Sequence, residues 1–165
     1  MLVHLIVENF KNIDNNLAIH LLTWAMIFDI LTGYAKSIIW GVTDSNVGWK
    51  GLIKHALVFT FFLILYPYAG AFGWAQFVNI LSMIYVGNYV ISIMENFGVM
   101  GIYVPKFLEN KIKTEIKRYE QMAENLIVEK TNEITKRDDN SINIETTIDN
   151  ELPINKDATN NEEEK

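Results

Sequence analysis

Residues 56–94 read ALVFTFFLILYPYAGAFGWAQFVNILSMIYVGNYVISIM, and no Asp, Glu, Lys or Arg interrupts them. A helix needs about 20 mostly apolar residues to cross about 30 Å of hydrocarbon, so the run is long enough for two crossings. Pro67, Gly70 and Gly73 divide it and leave only a tight, uncharged turn over Ala69 to Trp74. The run therefore predicts a helical hairpin in a bilayer. One span covers about 51–68, with Lys54 and His55 close enough to its end to snorkel; the other covers about 75–94.

Upstream, residues 17–39 form a third apolar stretch that carries Asp29 near its middle. Insertion scales put a central carboxylate at about 3 kcal/mol, which the surrounding leucines, isoleucines and aromatics offset. The connection from Trp40 to Gly51 contains Gly41, Asp44, Ser45, Gly48 and Gly51, a composition that predicts a loop at or outside the interface. Met1 to Phe10 has no basic leader, so the first stretch reads as a retained segment. Lys36, Lys50 and Lys54 flank the first connection, whereas the hairpin turn has no cation and the leading segment only Lys11. Positively charged loops stay cytoplasmic, which predicts an outside N-terminus and an inside C-terminus.

Downstream the chain changes character. Residues 1–120 carry a formal charge of +1 and residues 121–165 one of −7, so the overall −6 belongs to the tail. Pro105 suits a helix start, and Leu108, Ile112, Ile116 and Tyr119 recur on one helical face while Lys106, Lys111, Lys113, Lys117 and Arg118 supply cations. A basic amphipathic helix over 105–131 can lie on an anionic membrane surface, or stand as a solvated helix or short coiled coil. Residues 132–165 are rich in Asn, Asp, Glu and Thr without helical or strand period, and predict a disordered acidic tail. Residues 1–104 thus form an all-α membrane domain with about three spans.

Asp29 leads the candidate functional residues, because an ionisable group inside a span is costly. Leu22, Ala25, Asp29, Thr32, Gly33 and Lys36 share one side of the first span. Asp29 either seals helix packing through a hydrogen bond or lines a water-filled lesion between associated subunits. In the last span Ser82, Tyr85, Asn88, Tyr89, Ser92, Glu95 and Asn96 gather in one broad arc, to pack on the other spans or to face water in an oligomer. His4, His20 and His55 are scattered, no phosphate-binding glycine loop or metal-ligand spacing occurs, and cysteine is absent. The reading is a protein without enzymatic activity, cofactor, metal or nucleic-acid partner.

These features alone would also suit a channel or transporter subunit, or a membrane anchor for a partner. A transporter would be expected to show internal repeats, and none is visible; an anchor needs only one span. The motifs narrow the choice. Asp29-Ile30-Leu31-Thr32-Gly33, then Ser45-x-x-Gly48-x-x-Gly51-x-x-Lys54, then Ser92-Ile93-Met94-Glu95-Asn96-x-Gly98 before Pro105-Lys106-Phe107-Leu108 closely resemble the toxin-secretion/phage-lysis holin family. The resemblance covers roughly Trp24 to Lys111, and the long acidic tail departs from it. It implies a homo-oligomer in the bacterial host cytoplasmic membrane that permeabilises the bilayer and releases a cell-wall hydrolase, or a toxin. A phage endolysin would then be a functional partner without direct contact. It also points to Asp29, Thr32, Gly33, Lys36, Ser92, Glu95 and Asn96 as pore or assembly residues.

Overall fold

The computed structural model describes residues 1–41 and 45–151, with side chains for 1–41 and 48–137. Among the described residues five helices follow one another: α1 (Leu2–Lys11), α2 (Leu17–Ile39), α3 (Ser45–Ala71), α4 (Ala75–Val99) and α5 (Lys106–Glu151), with a 3-10 turn, Ile13–Asn15, between α1 and α2. The described residues contain no strand. Helix α2, α3 from Gly48 onward, and α4 are each long and apolar enough to cross a membrane. An all-α membrane architecture with three spans is what the hydropathy pattern predicts.

The spans are delimited by local chemistry. Asn16 starts α2, its side-chain oxygen accepting from Ile19 N at 3.1 Å. Helices α3 and α4 stop at glycines with positive φ, Gly73 at +77° and Gly101 at +82°. At each, two backbone bonds close the last turn: Trp74 N to Ala69 O at 2.7 Å with Gly73 N to Gly70 O at 3.2 Å, and Ile102 N to Phe97 O at 2.9 Å with Gly101 N to Gly98 O at 3.1 Å. This pairing satisfies carbonyls that would otherwise be orphaned, and a side chain at either glycine would strain it. Pro67 lies inside α3 without ending it; one lost donor near the end of a long span is tolerated.

Two inter-helix bonds set the direction of the spans. Asn16 Nδ2 donates to Asn79 Oδ1 at 2.8 Å near the starts of α2 and α4, and Trp40 Nε1 donates to Val99 O at 3.0 Å at their ends. Helices α2 and α4 therefore run parallel and pack directly on each other, and α3, which connects them in the chain, runs the other way. Their shared core divides into halves. Near the starts of α2 and α4 it is apolar, with Ile19, Leu22, Met26, Phe62 and Val78 buried together and Phe62 meeting Tyr85 edge to face at 5.2 Å. Toward the opposite ends it turns polar. The outward faces stay apolar: Leu21, Trp24, Phe28, Leu31 and Tyr34 on α2, and Leu57, Phe61, Ile64 and Tyr68 on α3, are all exposed. Patches of this extent are rare on soluble monomers and match hydrocarbon.

Three boundaries differ from the sequence reading. Helix α3 begins at Ser45, so Ser45 and Gly48 join Gly51 and Lys54 in a helix, where a loop is expected as far as Gly51. A glycine inside a helix costs about 1 kcal/mol relative to Ala, but at the edge of hydrocarbon an unpaired backbone costs more. Next, α1 packs on α3, an element the leading ten residues did not announce. Asn9 meets Gly70 there so closely that a Cβ on Gly70 would stand 2.5 Å from Asn9 Oδ1. Finally, α5 passes position 131 and continues to Glu151. No proline or glycine occurs between Pro105 and Pro153, so nothing local stops it. The acidic segment is helical to that point, and the disorder expected of residues 152–165 lies outside the described residues.

The chain forms two compact units, Met1–Leu126 and Ile127–Lys165. Within the first, α5 contributes a stripe at Ile112, Ile116, Tyr119, Ala123 and Leu126, spaced 4, 3, 4 and 3, with Ile116 and Leu126 buried. In the second, Lys130 pairs with Glu133 at 3.1 Å.

Candidate functional site

The polar half of the core is built from all three spans. On α2 the buried face runs Ile19, Leu22, Met26, Asp29, Thr32, so helical spacing carries the carboxylate to the same side as the apolar core. Asp29 is 8% exposed and Thr32 7%. From α3, His55 brings Nε2 to 3.6 Å from Asp29 Oδ2, an ion pair when the imidazole is protonated and a polar contact when it is not. From α4, Tyr89 brings its hydroxyl to 3.3 Å from His55 Nδ1, the two rings 5.5 Å apart. Which ring nitrogen carries the hydrogen depends on the tautomer.

Asn96, one turn before the end of α4, closes the arrangement. Its Nδ2 donates to Thr32 Oγ1 at 3.2 Å and to Asp29 Oδ1 at 3.4 Å, while its Oδ1 accepts from Lys36 Nζ at 2.6 Å. Thr32 Oγ1 in turn donates to Asp29 O at 3.1 Å. Gly33 lets α4 come near: a Cβ there would meet Asn96 Nδ2 at 3.7 Å, an ordinary contact, so a larger side chain and not alanine would push the helices apart. The network descends from Asp29 at mid-span to Lys36 at the end of α2. Among the described residues no buried side-chain polar atom lacks a partner, as hydrocarbon demands.

Five residues singled out from sequence, Asp29, Thr32, Gly33, Lys36 and Asn96, converge here. Two do not. Glu95 is exposed on α4, and its charge acts on Lys113 of α5; Ser92 is half-buried. The polar arc drawn on α4 is correspondingly narrower than its sequence suggested, since Ser82, Tyr89 and Asn96 are buried but Asn88 and Glu95 are exposed. Ser82 is satisfied within its own helix by Val78 O at 2.8 Å. Gly48 and Gly51 face open space, Lys54 is exposed, and the side chain of Ser45 is outside the described residues.

His55 is the residue that sequence reasoning missed. It stood beside Lys54 as a second snorkelling group, yet neighbours on a helix point about 100° apart, and here Lys54 is exposed while His55 turns toward Asp29. His4 pairs with Glu8 at 3.8 Å and His20 meets Asp14 O, both away from the network. The described residues contain no cluster of three His, Cys, Asp or Glu able to hold a metal. The five cations Lys106, Lys111, Lys113, Lys117 and Arg118 are exposed on α5. Lys113 pairs with Glu109 and Arg118 with Glu115 at 3.2 Å. The Lys113 ammonium lowers the Glu109 carboxyl through a hydrogen bond and its charge, and Glu109 raises Lys113 in return.

Residues 6–116 match the model of a bacteriophage holin family. An uncharacterized protein of Clostridium perfringens is 29% identical over 90 residues, covering 53% of this chain and 67% of the relative. An uncharacterized protein of Listeria monocytogenes is 29% identical over 104 residues, covering 62% and 73%. The 14.9 kDa protein of the nagH 3′ region of Clostridium perfringens is 28% identical over 90 residues, covering 53% and 68%. No solved structure matches the chain. The matched residues include the whole polar network and the first part of α5.

Proposed function

Because the chain belongs to the bacteriophage holin family, and is a multi-pass membrane protein with three apolar spans, we propose that it accumulates in a bacterial cytoplasmic membrane, self-associates, and opens lesions through which a cell-wall hydrolase or toxin leaves. The observation that carries this reading is the belt of Asp29, His55, Tyr89 and Asn96 enclosed by three otherwise apolar spans. Polar groups in hydrocarbon need partners. In a single copy they find one another; when copies meet, the same groups can exchange those partners for water or for a neighbouring chain. The belt is thus a store of wettable surface, kept closed in the monomer.

Lys36 in the last turn of α2 and Lys106 at the start of α5 support a cytoplasmic position for that side by the positive-inside rule. The belt then opens toward the cytoplasm, where a hydrolase would wait, and the hairpin turn faces outside. No step requires the lytic enzyme to touch the chain. Induced synthesis in a bacterium, with growth and membrane potential followed together, tests the reading.

A further inference from the structure

Helix α5 touches α4 at a point that a bilayer would not allow it to occupy. Gly87 lies 12 residues from each end of the 25-residue α4, at the centre of the span. A Cβ on Gly87 would stand 2.5 Å from Ile116 Cγ1 and 3.9 Å from Ile112 Cγ2, so the absence of a side chain is what admits α5. Ile80 and Met94, one heptad to either side of Gly87, are buried although neither belongs to the three-span core cluster. The seat that the structure shows is the close approach at Gly87, where Ile116 and Ile112 of the α5 stripe meet α4.

The other face of α5 is charged at the same level. Lys113, Lys117, Arg118 and Glu120 lie within four residues of Ile116 and are exposed. At 1.5 Å per residue they stand within about 6 Å of the centre of α4 along the axis, whereas hydrocarbon extends about 15 Å to each side of its midplane. Each unmatched charge there shifts an insertion equilibrium by roughly a hundredfold. The Lys113–Glu109 and Arg118–Glu115 pairs do not remove that obstacle, since a pair also loses its hydration.

We propose that α5 is a strap: seated on Gly87 it holds α4 in a form that does not span the bilayer, and spanning requires its release. Once released, α5 carries its cations to the anionic membrane surface and leaves the Gly87 face bare for close helix contact. The permeabilisation arm of the test below rests on the proposed holin function; the cross-linking arm does not.

The chain has no cysteine, so a Gly87→Cys/Ile116→Cys pair reports the seat alone. Full-length protein is made by cell-free synthesis and oxidised either before or after vesicles of mixed anionic and zwitterionic phospholipid are supplied. The strap predicts cross-linked chains before vesicles, at least about tenfold fewer after insertion, and no dye release from pre-linked chains until they are reduced. Equal cross-linking before and after insertion, or none at either time, overturns the proposal. So does rapid dye release by pre-linked chains. If the reduced pair variant is itself inactive, Ile112→Ala/Ile116→Ala decides: it should release dye sooner than the native chain, and equal or slower release overturns the strap. A native chain that inserts and releases no dye refutes the holin reading, and the cross-linking arm still stands or falls by itself.

Discussion

His55 Nε2 lies 3.6 Å from Asp29 Oδ2, tying α3 to α2 through a nearly buried carboxylate and a half-buried imidazole. Asp29→Asn keeps the shape of the side chain and removes the charge, which costs about 3 kcal/mol at the centre of a span. Insertion should be unchanged or improved. If the belt is the part of the protein that becomes wet, permeabilisation should nevertheless be delayed or lost. Unaltered timing at equal protein level assigns Asp29 to packing alone.

Asn96→Leu should do the reverse of a neutral change. It strips partners from Asp29, Thr32 and Lys36 together, and each buried group left unpaired costs about 1–3 kcal/mol. The expected result is a less stable three-span unit, read as a lower melting temperature in detergent, with Asn96→Gln retaining part of the loss. Equal stability of Asn96→Leu and the native chain would contradict the network.

The spans and their order were legible because hydropathy and glycine punctuation are local properties. Asp29, Thr32 and Lys36 were legible for a related reason: one helix's periodicity is enough to put them on a shared face. His55 was not, since its role depends on how α3 rotates against a partner that is 26 positions away in sequence. The start of α3 at Ser45 was hidden by its glycines, which read as loop where hydrocarbon forces helix. Helix α1 was hidden because ten residues are too few to announce a span and their partner, Gly70, looked like part of a turn.

The charge asymmetry predicts an outside N-terminus and an inside C-terminus. Single cysteines at Asn15 and Phe72 should react with an impermeant thiol reagent applied outside intact cells, and one at Asn125 should not. Gly70 is unsuited to this purpose, because a side chain there would displace Asn9. Protection of Asn15 with labelling of Asn125 would invert the orientation.

Along α5, the Glu109–Lys113 pair gives a pH dependence with a defined sign. The Glu109 carboxyl is held below its ordinary value of 4.5, so its contribution is present above that pH and is lost as pH falls through the depressed value. Lys113 is held above 10.5, so its contribution is present below that pH and is lost as pH rises further. Amide-exchange protection of residues 109–113 in detergent should be level between these limits and decline outside them. Lys113→Ala should lower the level part, and by a small amount, because both groups are exposed.

The acidic segment and the basic stretch of α5 should act in opposite directions on timing. Truncation after Thr131 removes most of the tail's negative charge and leaves the Ile112 to Leu126 stripe intact, so permeabilisation should come earlier. Neutralising Lys111, Lys113, Lys117 and Arg118 together should retard it, because the released helix loses about 1 kcal/mol of membrane attraction per cation. A truncated chain that no longer inserts would show that the tail holds part of the fold.

The central claim is tested most directly by inducing this chain alone in a bacterium and recording membrane potential continuously alongside the amount of inserted protein. Accumulation followed by cooperative assembly predicts a silent interval and then an abrupt collapse of potential across the culture. Leakage that rises in proportion to protein from the start would indicate a simple channel, and continued growth with the protein fully inserted would contradict the account.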